Sequence, residues 1–325
     1  MIRELHRDGR DLSRGMHVVI TGSGSALCDP ERGGASAAVL VDGQVLQFDC
    51  GRLVMENLMR TGINPVDVDA LFLTHLHFDH IASFGYFILS NWVAGRQAVL
   101  PVRGPAGTER MARAMVFEGH YADVEFARNL VATWPGDVPG RPMAEPPFTV
   151  QDQTPGLIAE TDTYRVTAVE VPHFQKFSLH SLAYRVDSAH GSVVVTGDCH
   201  PTAELQQLAQ GADIVVNECA KPDADMVTGG KLARSTRLDE AAKEQTHPHT
   251  TPTWLGESAQ KMQAKHVVAT HLAPLRAMPA ARAMSQVYYG SSEVPEDVFT
   301  LYKTRIAANF TGRIDIAEDG MILSV

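Results

Sequence analysis

The sequence predicts two β-sheets packed face to face with helices on their outer sides, an αββα sandwich formed as one domain over residues 1–325. Strand-like and helix-like segments follow one another in each half of the chain, so the same layered pattern occurs twice. A length of 325 residues with 44% hydrophobic content can bury a core of ordinary size, and there is no tandem repeat or low-complexity tract to suggest a fibrous or disordered chain. The residues able to carry chemistry fall at the ends of apolar runs, where a rigid strand presents a loop side chain.

In order, His17-Val-Val-Ile-Thr21 reads as a strand entering a glycine turn, followed by strands at Ala37–Val41 and Val45–Asp49 joined by a hairpin signal, Asp42-Gly43. Val54 to Arg60 reads as a helix stopped at Gly62, and Ala70-Leu-Phe-Leu-Thr74 as a strand buried on both faces. Residues 105–130 read as helical, and Trp134 to Pro147 as a Pro/Gly-rich surface loop. The stretch from 81 to 172 is long for a simple core, and the part from 100 to 160 reads as an insertion. Its aromatics Phe84, Tyr86, Phe87, Trp92, Tyr121 and Trp134 either pack a core or wall a substrate pocket. Strands resume at Tyr164–Val171, Ser181–Val186 and Ser192–Thr196. Then come a helix at Ala203–Gln210, a strand at Asp213–Asn217, a helix at Thr253–Gln263 and a strand at His266–Thr270. Beyond residue 290 no motif is legible.

Where the strand ending at Thr74 stops, His75-Leu76-His77-Phe78-Asp79-His80 begins. In extended chain, residues i and i+2 point to one side, so His75 and His77 can reach one metal while the turning chain offers Asp79 and His80 to a second. Imidazole and carboxylate donors suit zinc, and less exclusively manganese or iron. His173, Asp198 and His271 each follow an apolar strand-like run and have the character of further ligands. Cys28, Cys50, Cys199 and Cys219 show no CxxC pairing and read as reduced, mostly buried thiols. The polar N-terminus has no signal-peptide core and no run is long enough to span a membrane, so a cytoplasmic protein is expected. A net charge of −10 gives no general attraction for phosphate backbones and argues against an obligate nucleic-acid binder.

The order HxHxDH, a later His, an Asp in a Thr-Gly-Asp context and a final His after an apolar strand resembles the metallo-β-lactamase superfamily over roughly residues 17 to 271. That resemblance implies that His75, His77 and His173 hold one of two divalent metal ions, that Asp79, His80 and His271 hold the other, and that Asp198 bridges them. Asp49, in Phe48-Asp49-Cys50-Gly51, matches the superfamily's early Asp that braces the metal site.

Thr21-Gly22-Ser23-Gly24 with Pro30 and Arg32, Asn217-Glu218-Cys219, and His247-Pro-His249-Thr-Thr-Pro252 resemble the ribonuclease Z and arylsulfatase-like branch. By that resemblance, Asp79, His249 and Glu218 are catalytic, with Glu218 orienting His249. His247 competes for that role, but Thr250 and Pro252 place His249 at a helix start. His200, Lys176 and His247 are candidate substrate contacts.

The branch implies a two-metal hydrolase using a metal-bridging hydroxide. The acidic balance, with no basic arm beyond a few cations between Lys221 and Lys243, favours small anionic esters such as phosphodiesters or aryl sulfates over RNA. A tRNA 3′-processing endonuclease of the ribonuclease Z type, or a lactonase or phosphotriesterase, is the alternative. An iron-dependent redox enzyme is more remote. Relatives of this kind are often homodimers.

Overall fold

Asp42 and Gly43 adopt φ of 48° and 83°, the two positive values that a tight hairpin turn needs, and they join two strands as the sequence predicts. The computed structural model describes residues 11–134, 136, 141, 143–174, 179–223, 226, 249–273 and 298–325. It has the two facing sheets of the αββα sandwich, each of seven strands. The first sheet contains β1 (Met16–Gly22), β2 (Ser36–Val41), β3 (Gln44–Phe48), β4 (Val68–Phe72), β5 (Leu100–Gly104), β6 (Phe148–Asp152) and β14 (Ile322–Ser324), in the order β14-β1-β2-β3-β4-β5-β6. The second contains β7 (Gly156–Glu160), β8 (Tyr164–Glu170), β9 (Leu182–Ser188), β10 (Gly191–Val195), β11 (Ile214–Glu218), β12 (His266–Thr270) and β13 (Arg313–Ile316), in the order β13-β12-β11-β10-β9-β8-β7.

Three apolar layers result. Phe48, Phe72 and Tyr184 fill the space between the sheets, with ring centroids 5.1 to 5.7 Å apart. Helices α1 (Val54–Arg60) and α3 (Phe84–Val93) cover the outer face of the first sheet through Leu58, Phe84 and Phe87. On the second, α6 (Ala203–Leu208), α7 (Pro252–Met262) and α8 (Val298–Ala307) contribute Leu205, Leu255 and Tyr302. Strands covered on both faces read as continuous apolar runs, which is why β2 (Ser-Ala-Ala-Val-Leu-Val) is buried throughout.

The topology brings the site together at one end. Strands β10, β11, β12 and β13 run parallel, so Asp198, Glu218 and His271 emerge from their carboxyl ends side by side. Strand β4 runs parallel to β3, which places Asp49 beside the segment leading to His75. Two bonds tie the sheets there: the Tyr184 hydroxyl donates to the Leu73 carbonyl at 2.8 Å, and Leu182 N–H donates to the Thr74 carbonyl at 2.8 Å.

The reading of residues 100–160 as an insertion is corrected. Its ends are β5 and β6, which extend the first sheet, and it runs into β7, an edge of the second. Between them, α4 (Thr108–Arg113), a π-helical turn (Ala114–Glu118) and α5 (Tyr121–Ala132) match the helical expectation for 105–130. Beyond 290, α8, β13 and β14 complete both sheets and the outer layer. The aromatics thought able to wall a pocket divide otherwise: Phe84 and Phe87 are core, whereas Tyr86 and Tyr121 lie exposed on the surface. Among the described residues no helix is long and apolar enough to cross a membrane.

Candidate metal centre

The HxHxDH segment leaves β4 and enters the short helix α2 (Phe78–Ile81), which fixes the direction of every donor in it. Asp49 holds this loop in place. Its Oδ1 accepts the Thr74 N–H and its Oδ2 the Thr74 hydroxyl, both at 2.7 Å. Asp49 Oδ2 also accepts from His80 Nδ1 at 2.8 Å, leaving His80 Nε2 as the free donor atom. Because the Thr74 hydroxyl gives its proton to Asp49, it accepts from His75 Nδ1 at 3.1 Å, which frees His75 Nε2 in the same way. Thr74 was not singled out from the sequence; its place directly before the first His was the available signal.

Two glycines make the close packing possible. A Cβ on Gly51 would lie 2.3 Å from the Gly34 carbonyl carbon and 2.7 Å from the Asp79 carbonyl oxygen. Gly197, at φ +57°, has no room for a Cβ either, since that atom would stand 2.5 Å from Thr74 Cβ.

Two groups of potential donors converge here, His75, His77, His173 and Asp198 in one and Asp79, His80, Asp198 and His271 in the other. Within each, one atom per residue lies within 4.8 Å of all the others. Asp198 serves both with different oxygens. Oδ2 is 3.8 Å from His75 Nε2 and 3.7 Å from His173 Nε2, whereas Oδ1 is 3.1 Å from His80 Nε2 and 3.3 Å from His271 Nε2. Asp79 Oδ2 lies 3.1 Å from His271 Nε2.

These groups fit metal ions by their chemistry. His77 Nδ1 lies 3.0 Å from His75 Nε2 and 3.1 Å from His173 Nε2, a meeting of ring nitrogens that a shared cation satisfies better than shared protons. His80 Nε2 and Asp198 Oδ1, both buried and 3.1 Å apart, make no well-aligned hydrogen bond to each other or to any other described residue. Burial pushes His75 well below its usual range, with the neighbouring His80 charge adding to it, so this imidazole is neutral as a ligand must be. Burial would also lower His80, but the carboxylates of Asp198, Asp49 and Asp79 outweigh it and hold this ring well above its usual range. The field that attracts a proton there attracts a metal cation equally.

Beside the groups stands the Glu218–His249 pair. Glu218 Oε1 accepts the Thr250 N–H at 2.8 Å, the Cys199 N–H at 3.2 Å and His249 Nδ1 at 3.3 Å, while Oε2 accepts the Ala220 N–H at 2.9 Å. Burial opposes charge on His249, yet Glu218, then Asp198 and Asp79, raise it to about 9. Glu218, His249 and His271 also lie close enough to form a third donor group. Glu218 spends its lone pairs on three backbone amides, however, and His271 Nε2 faces Asp79 and Asp198. As expected of a helix start, Thr251 caps α7 with its side chain, accepting from the Trp254 N–H at 3.3 Å, and Pro252 is the first helical residue.

All seven residues expected to be ligands are thus brought together, with Asp49, Glu218 and His249 around them. His200 stands apart from the donor groups and lines a separate cleft with Trp254. Lys176 and His247 lie outside the described residues. Three of the four cysteines, Cys50, Cys199 and Cys219, are buried, in keeping with a mostly buried set, and burial pushes their thiols well up; Cys28 is exposed.

A family profile described as "Beta-lactamase superfamily domain" matches residues 45–272. The chain belongs to the metallo-β-lactamase superfamily and is a hydrolase of that class. It is 32% identical over 212 residues to a ribonuclease Z of Mycobacterium bovis (strain BCG / Pasteur 1173P2), covering 64% of this chain and 71% of the relative. With a ribonuclease Z of Mycobacterium sp. (strain KMS) it shares 31% identity over 264 residues, 80% of this chain and 85% of the relative. Among solved structures it resembles the metallo-β-lactamase fold protein YhfI from Bacillus subtilis, with a TM-score of 0.64, 18% identity, and coverage of 95% of this chain and 99% of that one; this likeness concerns the fold.

Proposed function

We propose that the chain is a two-metal phosphodiesterase whose substrate is RNA, of the 3′-processing kind that the name of its relatives denotes. The observation that carries the two-metal part is Asp198, whose two oxygens face two different donor groups. The relatives, both named ribonuclease Z and 31–32% identical, weigh in favour of RNA over the small anionic ester that the acidic composition suggested. Much of the stretch between Lys221 and Lys243, which carries the few cations of that region, lies outside the described residues.

His75, His77, His173 and Asp198 would hold one metal and Asp79, His80, His271 and Asp198 the other, with zinc the ion their donor types suit best. Bound metals supply an activated water and stabilise charge on the phosphoryl oxygens. Asp49 fixes the tautomer and direction of His80 and, through Thr74, of His75. His249, with Nδ1 committed to Glu218, keeps Nε2 to donate a proton to the departing oxygen, and at about 9 it is protonated at neutral pH.

A small anionic ester is the second reading, favoured by the net charge of −10. Turnover by metal-quantified protein on a tRNA precursor, an aryl phosphodiester, a phosphotriester, an aryl sulfate and a lactone separates the readings. Precursor cleavage at one defined position supports the proposal. Efficient diester hydrolysis with an untouched precursor restores the second reading, and preference for the lactone or triester overturns the phosphodiester assignment. Iron content with no hydrolysis moves the chain to redox chemistry.

A further inference from the structure

Two segments leave the metal centre on the second-sheet side and run into helices. Asp198-Cys199-His200-Pro201 leads to α6, and His249-Thr250-Thr251 leads to α7. They are laced together at the centre: the Thr250 hydroxyl donates to the Cys199 carbonyl at 2.8 Å, and Glu218 Oε1 accepts the amides of both Cys199 and Thr250. Just beyond that lacing the two helices border a cleft of about 230 Å³, lined by His200, Gln206, Trp254, Glu257 and Lys261 among others. That is below the roughly 300–1,000 Å³ typical of whole small-molecule sites and is sized for one part of a ligand, such as a single ring system. His200, two residues from Asp198, and Trp254, five from His249, put the cleft on the continuation of both segments that leave the centre.

The lining has a specific chemistry. Trp254, half-buried in the first turn of α7, offers an indole on a backbone pinned by the Thr251 cap. Gln206, whose amide nitrogen reaches Ser258 Oγ at 3.4 Å, supplies an amide on the opposite wall. Glu257 and Lys261, one turn apart on α7, add a carboxylate that can accept from hydroxyls or amino groups and an ammonium for an anion. An aromatic plane beside an amide, a carboxylate and an ammonium suits a heterocycle with polar edges on a sugar. An aryl sulfate would engage the indole and the ammonium but leave the amide and the carboxylate unmatched.

We infer that this cleft between α6 and α7 is a nucleotide subsite, in which Trp254 stacks on the base of the unit next to the scissile phosphodiester. The inference rests on the phosphodiester reading above. It assigns His200 a place in the wall of the subsite and gives the enzyme a base-tolerant grip on its substrate, since every base has a face to stack.

Binding to the metal-loaded full chain tests it separately from catalysis. Adenosine 5′-monophosphate and ribose 5-phosphate share the sugar phosphate and differ only by the base. Calorimetry should show the adenine compound binding more tightly by about 5–150-fold, the range that base–aromatic stacking supports. Trp254→Ala should abolish that ratio while leaving the ribose 5-phosphate affinity near its starting value, and Trp254→Phe should keep most of it. An unchanged melting temperature confirms that the variants fold. Equal affinity for the two ligands in the unmodified protein, no binding of either, or a ratio that survives Trp254→Ala would overturn the subsite. A preserved ratio in a protein that hydrolyses no phosphodiester would instead overturn the proposed reaction while leaving the subsite standing.

Discussion

The two donor groups share Asp198 yet are built differently. Asp79, His80, Asp198 and His271 are all buried, and Asp49 braces the group through His80 Nδ1. In the other group His77 is only partly buried, so that group faces the open side of the centre. One group is shaped before a metal arrives; the other keeps an edge toward the substrate. The contrast teaches that a brace and a bridge have separable effects, and substitutions can pull them apart.

The largest effect is expected at the bridge. Asp198→Ala should empty both groups, so metal analysis should find less than one ion per chain and turnover should vanish with it. His249→Ala comes next, because it touches neither group as an expected ligand. Metal content should stay unchanged while kcat falls by roughly 10²–10⁴-fold. The sign of its pH dependence follows from the raised value: the imidazolium persists from the usual 6.5 up to about 9, so proton donation is available below that point and lost above it. A kcat profile should therefore fall on an alkaline limb near pH 9, and that limb should be missing in the variant.

Asp49→Asn sharpens the comparison directly. It should weaken metal affinity of the fully buried group by about 10–100-fold, and that of the group containing His77 by less. Equilibrium dialysis that resolves the two binding steps would show this, and equal loss at both would make Asp49 a general support for the loop. Gly197→Ala is expected to give the smallest effect of the four in energy, and it is read as stability. A methyl 2.5 Å from Thr74 Cβ at a positive φ should cost about 1–3 kcal/mol in denaturant unfolding.

The legibility of this molecule in its sequence follows the same division. His75 to His80 could be read because four donor residues crowd into six positions after a strand. Asp198 and His271 could be read because parallel strands buried on both faces leave unbroken apolar runs ending at the donor. Strands β6 and β7 were missed because most of their residues are at least partly exposed, and the alternation in β6 is confined to Phe148 and Val150, too short to stand out. Strand β14 has three residues and depends on β1 for its hydrogen bonds, a partner some 300 residues away. The cleft beside Trp254 was illegible for a similar reason: α6 and α7 are remote in sequence and meet only in the fold.

The most direct test of the central claim is the number of metal ions per chain, measured by mass spectrometry of the purified protein alongside precursor RNA cleavage before and after chelation. We expect two ions per chain, loss of cleavage on their removal and recovery when both are restored. A fully active protein holding one ion or none would contradict the two-metal account.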